Sequence, residues 1–389
     1  MKIFKSYNIK NIIKIFLFTV IILILLIFSK DNFENVKNTV QIFIYSIIPS
    51  LFPFIFFTEF ILNTDILNTV QNTTGKYISK IFRVSKNASP AILTGFLCGF
   101  PMGAKTVSHL YDTNQISKKE SFKLLSYINN CNPAFIISSI GIGIMYNIKF
   151  GILLAISHYL ASLLMSFIPF KNSSLDIIHE KDINLNTFSK KNNIKPQNIF
   201  EIIKVCIKNS FSTLTMIFGF MIIFNLLFSV INNILTIFNV SNNITAIVSG
   251  LFEVTIGINN MYNLPLNINT KLPIISFLTG FSGLCIIFQI YSCICIKDFS
   301  IKKLILFKIL HGIISCFLSY ILLKYTNIFN GNTINVYNSV DELKKTYYIH
   351  NMKISYLVST IIIILILFIY YIIHKKVAYK NIDYKKEGG

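Results

Sequence analysis

The 389 residues are 53% hydrophobic and only 13% charged, with a mean hydropathy of +0.61, which leaves too little polar side chain to cover a soluble globule of this size. A net charge of +20 would suggest nucleic acid in a soluble chain, but here the lysines lie between apolar runs and no basic patch carries interleaved aromatics, so nucleic acid is excluded as a partner. The seven cysteines (Cys98, Cys131, Cys206, Cys285, Cys293, Cys295 and Cys316) sit mostly in apolar segments without a CxxC pair; they read as small buried hydrophobes and predict neither a metal site nor a cofactor.

Residues 1–39 form an N-terminal span and external loop. Lys2, Lys5, Lys10 and Lys14 precede an apolar run from Ile15 to Phe28. The run resembles a secretory signal but ends in Ser29, Lys30 and Asp31 with no small-residue cleavage site, so an uncleaved first span is expected. A span needs about 20 mostly apolar residues. Full-length candidates lie at 11–28, 40–62, 125–146, 150–169, 211–236, 272–296, 304–324 and 355–374, about eight in all. Two further stretches, 88–104 and 244–262, are shorter and broken by Gly, Pro and polar residues, which predicts re-entrant or discontinuous helices. The span 125–146 is itself interrupted at Asn129 to Pro133, where the proline lacks a backbone donor and disfavours helix at Asn132.

With the N-terminus inside and both short stretches re-entrant, 28 of the 36 lysines and arginines fall in inside segments, the bias that orients membrane proteins. Both termini are then cytoplasmic. Residues 40–169 form a first repeat, running as a span, a re-entrant segment, a broken span and a span. Residues 211–324 form a second, with every direction reversed. Ile92–Leu97 (ILTGFL) echoes Ile247–Phe252 (IVSGLF), and Asn130–Pro133 echoes Gly280–Gly283. Residues 170–210 are a lysine-rich cytoplasmic linker, with an interfacial helix at 199–209. Residues 325–389 hold an external loop, a last span and a basic cytoplasmic tail. The expected fold is therefore an all-α polytopic membrane protein of two inverted-topology repeats, the usual construction of secondary transporters.

Backbone broken at membrane depth must be satisfied by protein or by a water-filled cavity. The breaks and the polar residues beside them therefore nominate a substrate site: Gly99, Pro101, Gly103, Lys105, Asn129, Asn130, Asn132, Glu253, Asn259, Gly280, Ser282 and Gln289. Glycines at such places equally serve close helix packing. Glu59, Lys105, His158, Glu253 and His311 are the ionisable residues near membrane level. Glu253 is the strongest of them because it lies inside a re-entrant stretch. His158 and His311 read as packing residues. Lys105 reads as a snorkelling anchor or as a charge offered to an anion. Gly99 to Thr106 imitates a phosphate-binding loop but has the wrong spacing. No hydrolase motif appears, so no enzymatic activity is expected.

The runs SIIPSLFPFIFFTEFIL (46–62), ILTGFLCGFPMGAKTVSHLYDTNQISKKESFKLLSYINNCNPAFI (92–136), GLFEVTIGINN (250–260) and FLTGFSGLCIIFQIYS (277–292) resemble the sporulation integral membrane protein YlbJ family, which carries a nucleoside-recognition or Gate domain. The resemblance covers about residues 40–325. It implies transport during endospore formation, in a bacterial cell membrane such as one surrounding the forespore, with dipicolinate or a related small anion as the substrate class. Related Gate domains imply nucleoside or ferrous-iron carriage as an alternative. A spore-assembly scaffold that transports nothing is a third reading. Partners are then the lipid bilayer and a small molecule, with an oligomer left open.

Overall fold

A computed structural model describes residues 28–168 and 198–325, together with single residues scattered between 14 and 27. The expected spans at 11–28 and 355–374 fall largely or wholly outside these residues, as do most of the linker and the tail. Among the described residues every regular element is a helix.

Helix α1 (Ser29–Ile42) passes through a π-helical turn (Phe43–Ile47) into α2 (Ile48–Leu62), which carries Pro53. After α3 (Ile66–Phe82), α4 (Ser89–Leu97) and α5 (Met102–Asp112) form a hairpin whose tip is Cys98 to Pro101. Helix α6 (Lys118–Leu125) carries four charged residues and ends where the expected span 125–146 begins; of that span only the short π-helical segment π1 (Phe135–Ile144) is an apolar helix, after the break at Asn129 to Pro133, and α7 (Ile148–Ser166) follows. The second series repeats this order. A long α8 (Ile199–Ile237) precedes a hairpin of α9 (Asn242–Phe252) and α10 (Val254–Asn263). Then come α11 (Ile268–Phe281) and α12 (Gly283–Ser292), interrupted at Ser282, and finally α13 (Ile301–Tyr325).

Among the described residues four helical stretches are long and apolar enough to cross a membrane: 148–166, 199–237, 268–292 and 301–325. The bent pair of α1 and α2 is a fifth. The protein is a polytopic helical membrane protein. Its long helices turn Ile223, Leu306, Ile313 and Phe317 outward, each more than half exposed, as side chains facing lipid do.

One expectation needs correction. Residues 199–209 are not a separate interfacial helix, because no proline, glycine or cap interrupts the chain before the span. The 39 residues of α8 are continuous; at 1.5 Å per residue they run about 58 Å, against a hydrocarbon core of about 30 Å. Its first turns therefore reach beyond the core as a direct extension of the span.

Small residues set the packing. Gly95 meets Gly103 across the first hairpin, and Gly250 meets Gly257 across the second. A methyl on Gly257 would stand 2.0 Å from the Cα of Gly250. Gly141 against Gly151 brings π1 onto α7, and Gly280 against Gly312 brings α11 onto α13. Backbones in such contact gain the dispersion energy that holds membrane helices together where lipid offers no hydrophobic drive.

Candidate functional site

Both hairpins are stitched at corresponding positions beside their glycine contacts. Thr94 Oγ1 donates to Thr106 Oγ1 at 3.0 Å in the first, and Asn260 Nδ2 donates to Ser249 Oγ at 3.1 Å in the second. Thr94 and Ser249 each precede the glycine of the outgoing arm, and Thr106 and Asn260 each follow that of the returning arm by three residues. Helices α7 and α13 share a further pattern. His158, Ser162 and Ser166 recur as His311, Ser315 and Ser319, at the same spacing of four, and all six are buried.

Each hairpin tip docks on a broken span. Gly99 adopts φ +79° and lies so close to Asn132 that a methyl there would come within 2.8 Å of the Asn132 nitrogen. Phe100 N–H donates to the Asn130 carbonyl at 2.8 Å, and Asn132 Nδ2 to the Cys98 carbonyl at 3.4 Å. Asn132 Oδ1 accepts from the Ala134 amide at 2.8 Å, so this side chain starts the second piece of the broken span. In the second series Gly283 adopts φ +72°, and a methyl there would lie 3.2 Å from Phe252 O and Val254 N, at the other tip.

That second tip is Glu253. Its extended backbone (φ −140°, ψ 120°) ends α9, and its side chain caps α10: Oε2 accepts from the Ile256 amide at 2.8 Å and from the Thr255 hydroxyl. A carboxylate at a helix N-terminus is held by free amides and the helix dipole. The desolvation of this buried acid is thereby offset by donors from its own helix.

The two tips, Asn132 of the first break and helix α12 meet at a cavity of about 50 Å³, lined among others by Phe100, Asn132, Glu253, Thr255, Cys285 and Gln289, with α2 and α8 closing one side. Gln289 Nε2 reaches Cys285 Sγ at 3.2 Å. Of the expected site residues, the structure brings Asn132, Glu253 and Gln289 to this cavity.

The others stand elsewhere. Lys105 does not line the cavity: its Nζ lies 2.5 Å from Glu59 Oε1 and donates to Thr213 Oγ1 at 2.9 Å, while Asn209 Nδ2 donates to Glu59 Oε2 at 2.9 Å. The charge is spent on tying α5 to α2 and α8. Gly103 and Gly280 are packing contacts with Gly95 and Gly312. Gly99 and Pro101 shape the first tip, Pro101 lying just before α5. Ser282 holds the left-handed break between α11 and α12 (φ 71°), its hydroxyl donating to Thr279 O at 3.1 Å. Asn259 is exposed on the outer arm of its hairpin. Asn129 and Asn130 are buried behind the first tip; Asn130 Nδ2 donates to Ser162 Oγ at 3.1 Å.

One buried charge escapes a reading by sequence. Lys308, only 3% exposed, sits about two turns into α13, close enough to the start of the expected span for a lysine to pass as a snorkelling residue. Its Nζ donates to the Asn129 carbonyl at 2.7 Å. The signal was Lys308 and His311 one turn apart in an apolar helix.

Over 209 residues the chain is 30% identical to the sporulation integral membrane protein YlbJ of Bacillus subtilis (strain 168). The chain is related to the YlbJ family. The match covers 49% of this chain and 48% of that protein, so the chain spans about half the length of the curated relative it matches. No protein-family model matches the chain, and no solved structure does.

Proposed function

We propose that the protein is a sporulation-associated transporter, not an enzyme, and that it carries a small metabolite through the cavity between two inverted halves, about residues 40–169 and 211–324. The observation that supports this best is the matched construction of the two series. The same glycine contact and the same side-chain bond build both hairpins, each tip docks on its own series' broken span, and both tips end at one cavity. The packing is reciprocal as well. Helix α2 lies against α8 and α7 against α13, while α5 touches α12 as α10 touches π1, the pairing that a two-fold axis produces. Broken helices from inverted halves meeting at a common site are the construction of alternating-access carriers. A scaffold needs no irregular backbone at membrane depth, which is tolerated only where it is buried in protein or lines a cavity.

A dipicolinate-like anion is the cargo we favour, on the family relationship. Glu253 constrains how such an anion is carried. Among the described residues no lysine or arginine lines the cavity, so a dicarboxylate enters only with a proton or cation that offsets the acid. A volume of about 50 Å³ holds a few water molecules, so loading requires the tips to part. Carriage of a nucleoside or a cation is the second reading, and the observation in its favour is the carboxylate of Glu253 beside the amide of Gln289.

Uptake of labelled dipicolinate into proteoliposomes, with uridine and ferrous iron as competitors, tests both. Saturable dipicolinate uptake that neither competitor blocks supports the first reading. Uptake of uridine or iron in its place supports the second. Failure to move any of the three refutes transport of these classes.

A further inference from the structure

We infer that Lys308 is a proton-carrying site that couples the break at Asn129–Asn132 to a proton gradient, an inference that rests on the transport reading above. Lys308 is buried in α13, seven residues from the helix start, and among the described residues it has no carboxylate partner. Its one hydrogen bond there goes to the main-chain oxygen of Asn129, at 2.7 Å, although an ammonium has three donors to place. A lysine in that setting is costly as a cation, and in membrane proteins such groups mark proton and ion pathways.

The groups around it assign the titrating role. From the broken span come Asn129 and Cys131, from α7 His158 and Tyr159, and from α13 itself His311. The Cys131 amide donates to His158 Nε2 at 3.0 Å, so that nitrogen carries no proton and the ring is neutral in this arrangement. His311 Nε2 faces the His158 carbonyl at 3.0 Å and must donate to it. Tyr159 gives its hydroxyl to the Cys131 carbonyl at 2.5 Å. His158 is thus held neutral, and Lys308 is the member of the cluster that bears a charge with no carboxylate among the described residues to hold it. In the break itself Asn129 Oδ1 and Asn130 Oδ1 are buried without a donor, and His158 Nδ1, which carries the ring proton, is buried without an acceptor. The break is thus short of hydrogen-bond partners, as a segment with a second arrangement would be.

The coupling follows from four consecutive residues. Asn129 holds Lys308, Asn130 receives the first hairpin tip through its carbonyl, and Asn132 lines the cavity. Helix α13 is fixed behind them by Gly312 on Gly280 and by Ser315 on Ser276 at 2.8 Å. Movement of the break on loading withdraws the Asn129 carbonyl from a stationary Lys308. The ammonium then gives one proton to water reaching it from one side and remains as a neutral amine. Water from the other side returns the proton when the break resets. The shared packing of α7 and α13 does not require the lysine, since Ala155 stands at the place in α7 that Lys308 occupies in α13, three residues before the histidine.

The test uses the full chain in proteoliposomes with dipicolinate as the probe, comparing Lys308→Arg and Lys308→Met with the unaltered protein. An arginine stays protonated and still donates, so it replaces a structural cation but not a proton carrier. Both variants are expected to retain counterflow exchange within about twofold and to lose proton-driven accumulation by roughly tenfold or more. Proton-driven accumulation retained by Lys308→Arg overturns the inference. A second arm needs no cargo: thermal unfolding of the unaltered protein and of Lys308→Arg between pH 6 and 10. A difference in Tm that changes with pH is expected for a lysine that exchanges its proton in the folded state. A constant difference overturns the inference even if transport is real. A changing difference, in a protein that moves no probe, leaves the proton site standing and refutes the transport reading instead.

Discussion

Replacing Gly257 by alanine tests the hairpin geometry on which the cavity depends. The added methyl would lie 2.0 Å from the Gly250 Cα and 2.3 Å from its nitrogen, against an ordinary contact of about 3.5–4.0 Å. Both obstacles are backbone, so no rotamer change relieves them and the arms must part by about 1.5 Å, an overpacking cost of roughly 1–3 kcal/mol. The same movement stretches the Asn260–Ser249 bond from 3.1 Å beyond hydrogen-bond range, adding about 1 kcal/mol. The expected loss is therefore about 2–4 kcal/mol. Gly219→Ala is the control, because nothing lies within 4 Å of a methyl there and alanine favours helix over glycine by up to about 1 kcal/mol. The chain has no tryptophan, so the assay is thermal unfolding followed with a thiol-reactive dye, which reads Cys131, Cys206 and Cys285 as they leave the interior. Gly257→Ala should unfold several degrees below the unaltered protein, and Gly219→Ala at or above it. Equal unfolding temperatures for the two variants would refute the packing of the hairpin.

Glu253→Gln keeps an oxygen for the Ile256 amide and so should unfold within a degree or two of the unaltered protein, while uptake in proteoliposomes falls by roughly tenfold or more. Glu253→Ala should also lose about 1 kcal/mol of stability through the missing cap. Lys105→Met leaves the buried carboxylate of Glu59 unpaired and should cost about 1–3 kcal/mol, discounted for the partial exposure of the lysine; adding Glu59→Gln should restore much of it, which a double-mutant cycle on the same dye assay would measure. A cysteine at Lys380 should be labelled by an impermeant reagent from the cytoplasmic side, and labelling from outside alone would contradict the topology.

The sequence announced its breaks more clearly than its contacts. Glycine, proline and asparagine clusters inside apolar stretches located both hairpin tips and both interrupted spans, because each of those residue types disrupts helical hydrogen bonding for a local reason. The echo between residues 92–97 and 247–252 likewise marked two glycines that the fold uses alike. What each break faces was not legible. Lys105 looked available to an anion because its partner Glu59 lies 46 positions earlier, and only tertiary packing brings the two together. Asn259 was one of a pair of adjacent asparagines, and a helix turns neighbours about 100° apart, so Asn260 bonds inward while Asn259 faces out. Lys308 falls inside the expected span 304–324, but only four residues from its start, where lysines commonly snorkel to the interface; that it turns inward instead is a matter of tertiary packing.

The features the two series share and those in which they differ divide the work between them. The shared features are packing devices: glycine on glycine in the hairpins, a short side-chain bond across each, and the His, Ser, Ser spacing of α7 and α13. In the transport reading proposed above, they belong to a frame that holds while the two series exchange roles. The differences carry charge. Glu253 stands at the second tip, where the first has Gly99, Phe100 and Pro101. Lys308 stands in α13, where α7 has Ala155. Both charged groups lie on the second series, and each reaches the break that contains Asn132, one across the cavity and one from behind through Asn129. Under the proposed coupling, residues 129–132, lying between Glu253 and Lys308, are the segment that moves. Stiffening them, rather than altering either charge, is then the perturbation that should uncouple cargo from protons while leaving both ionisable groups intact.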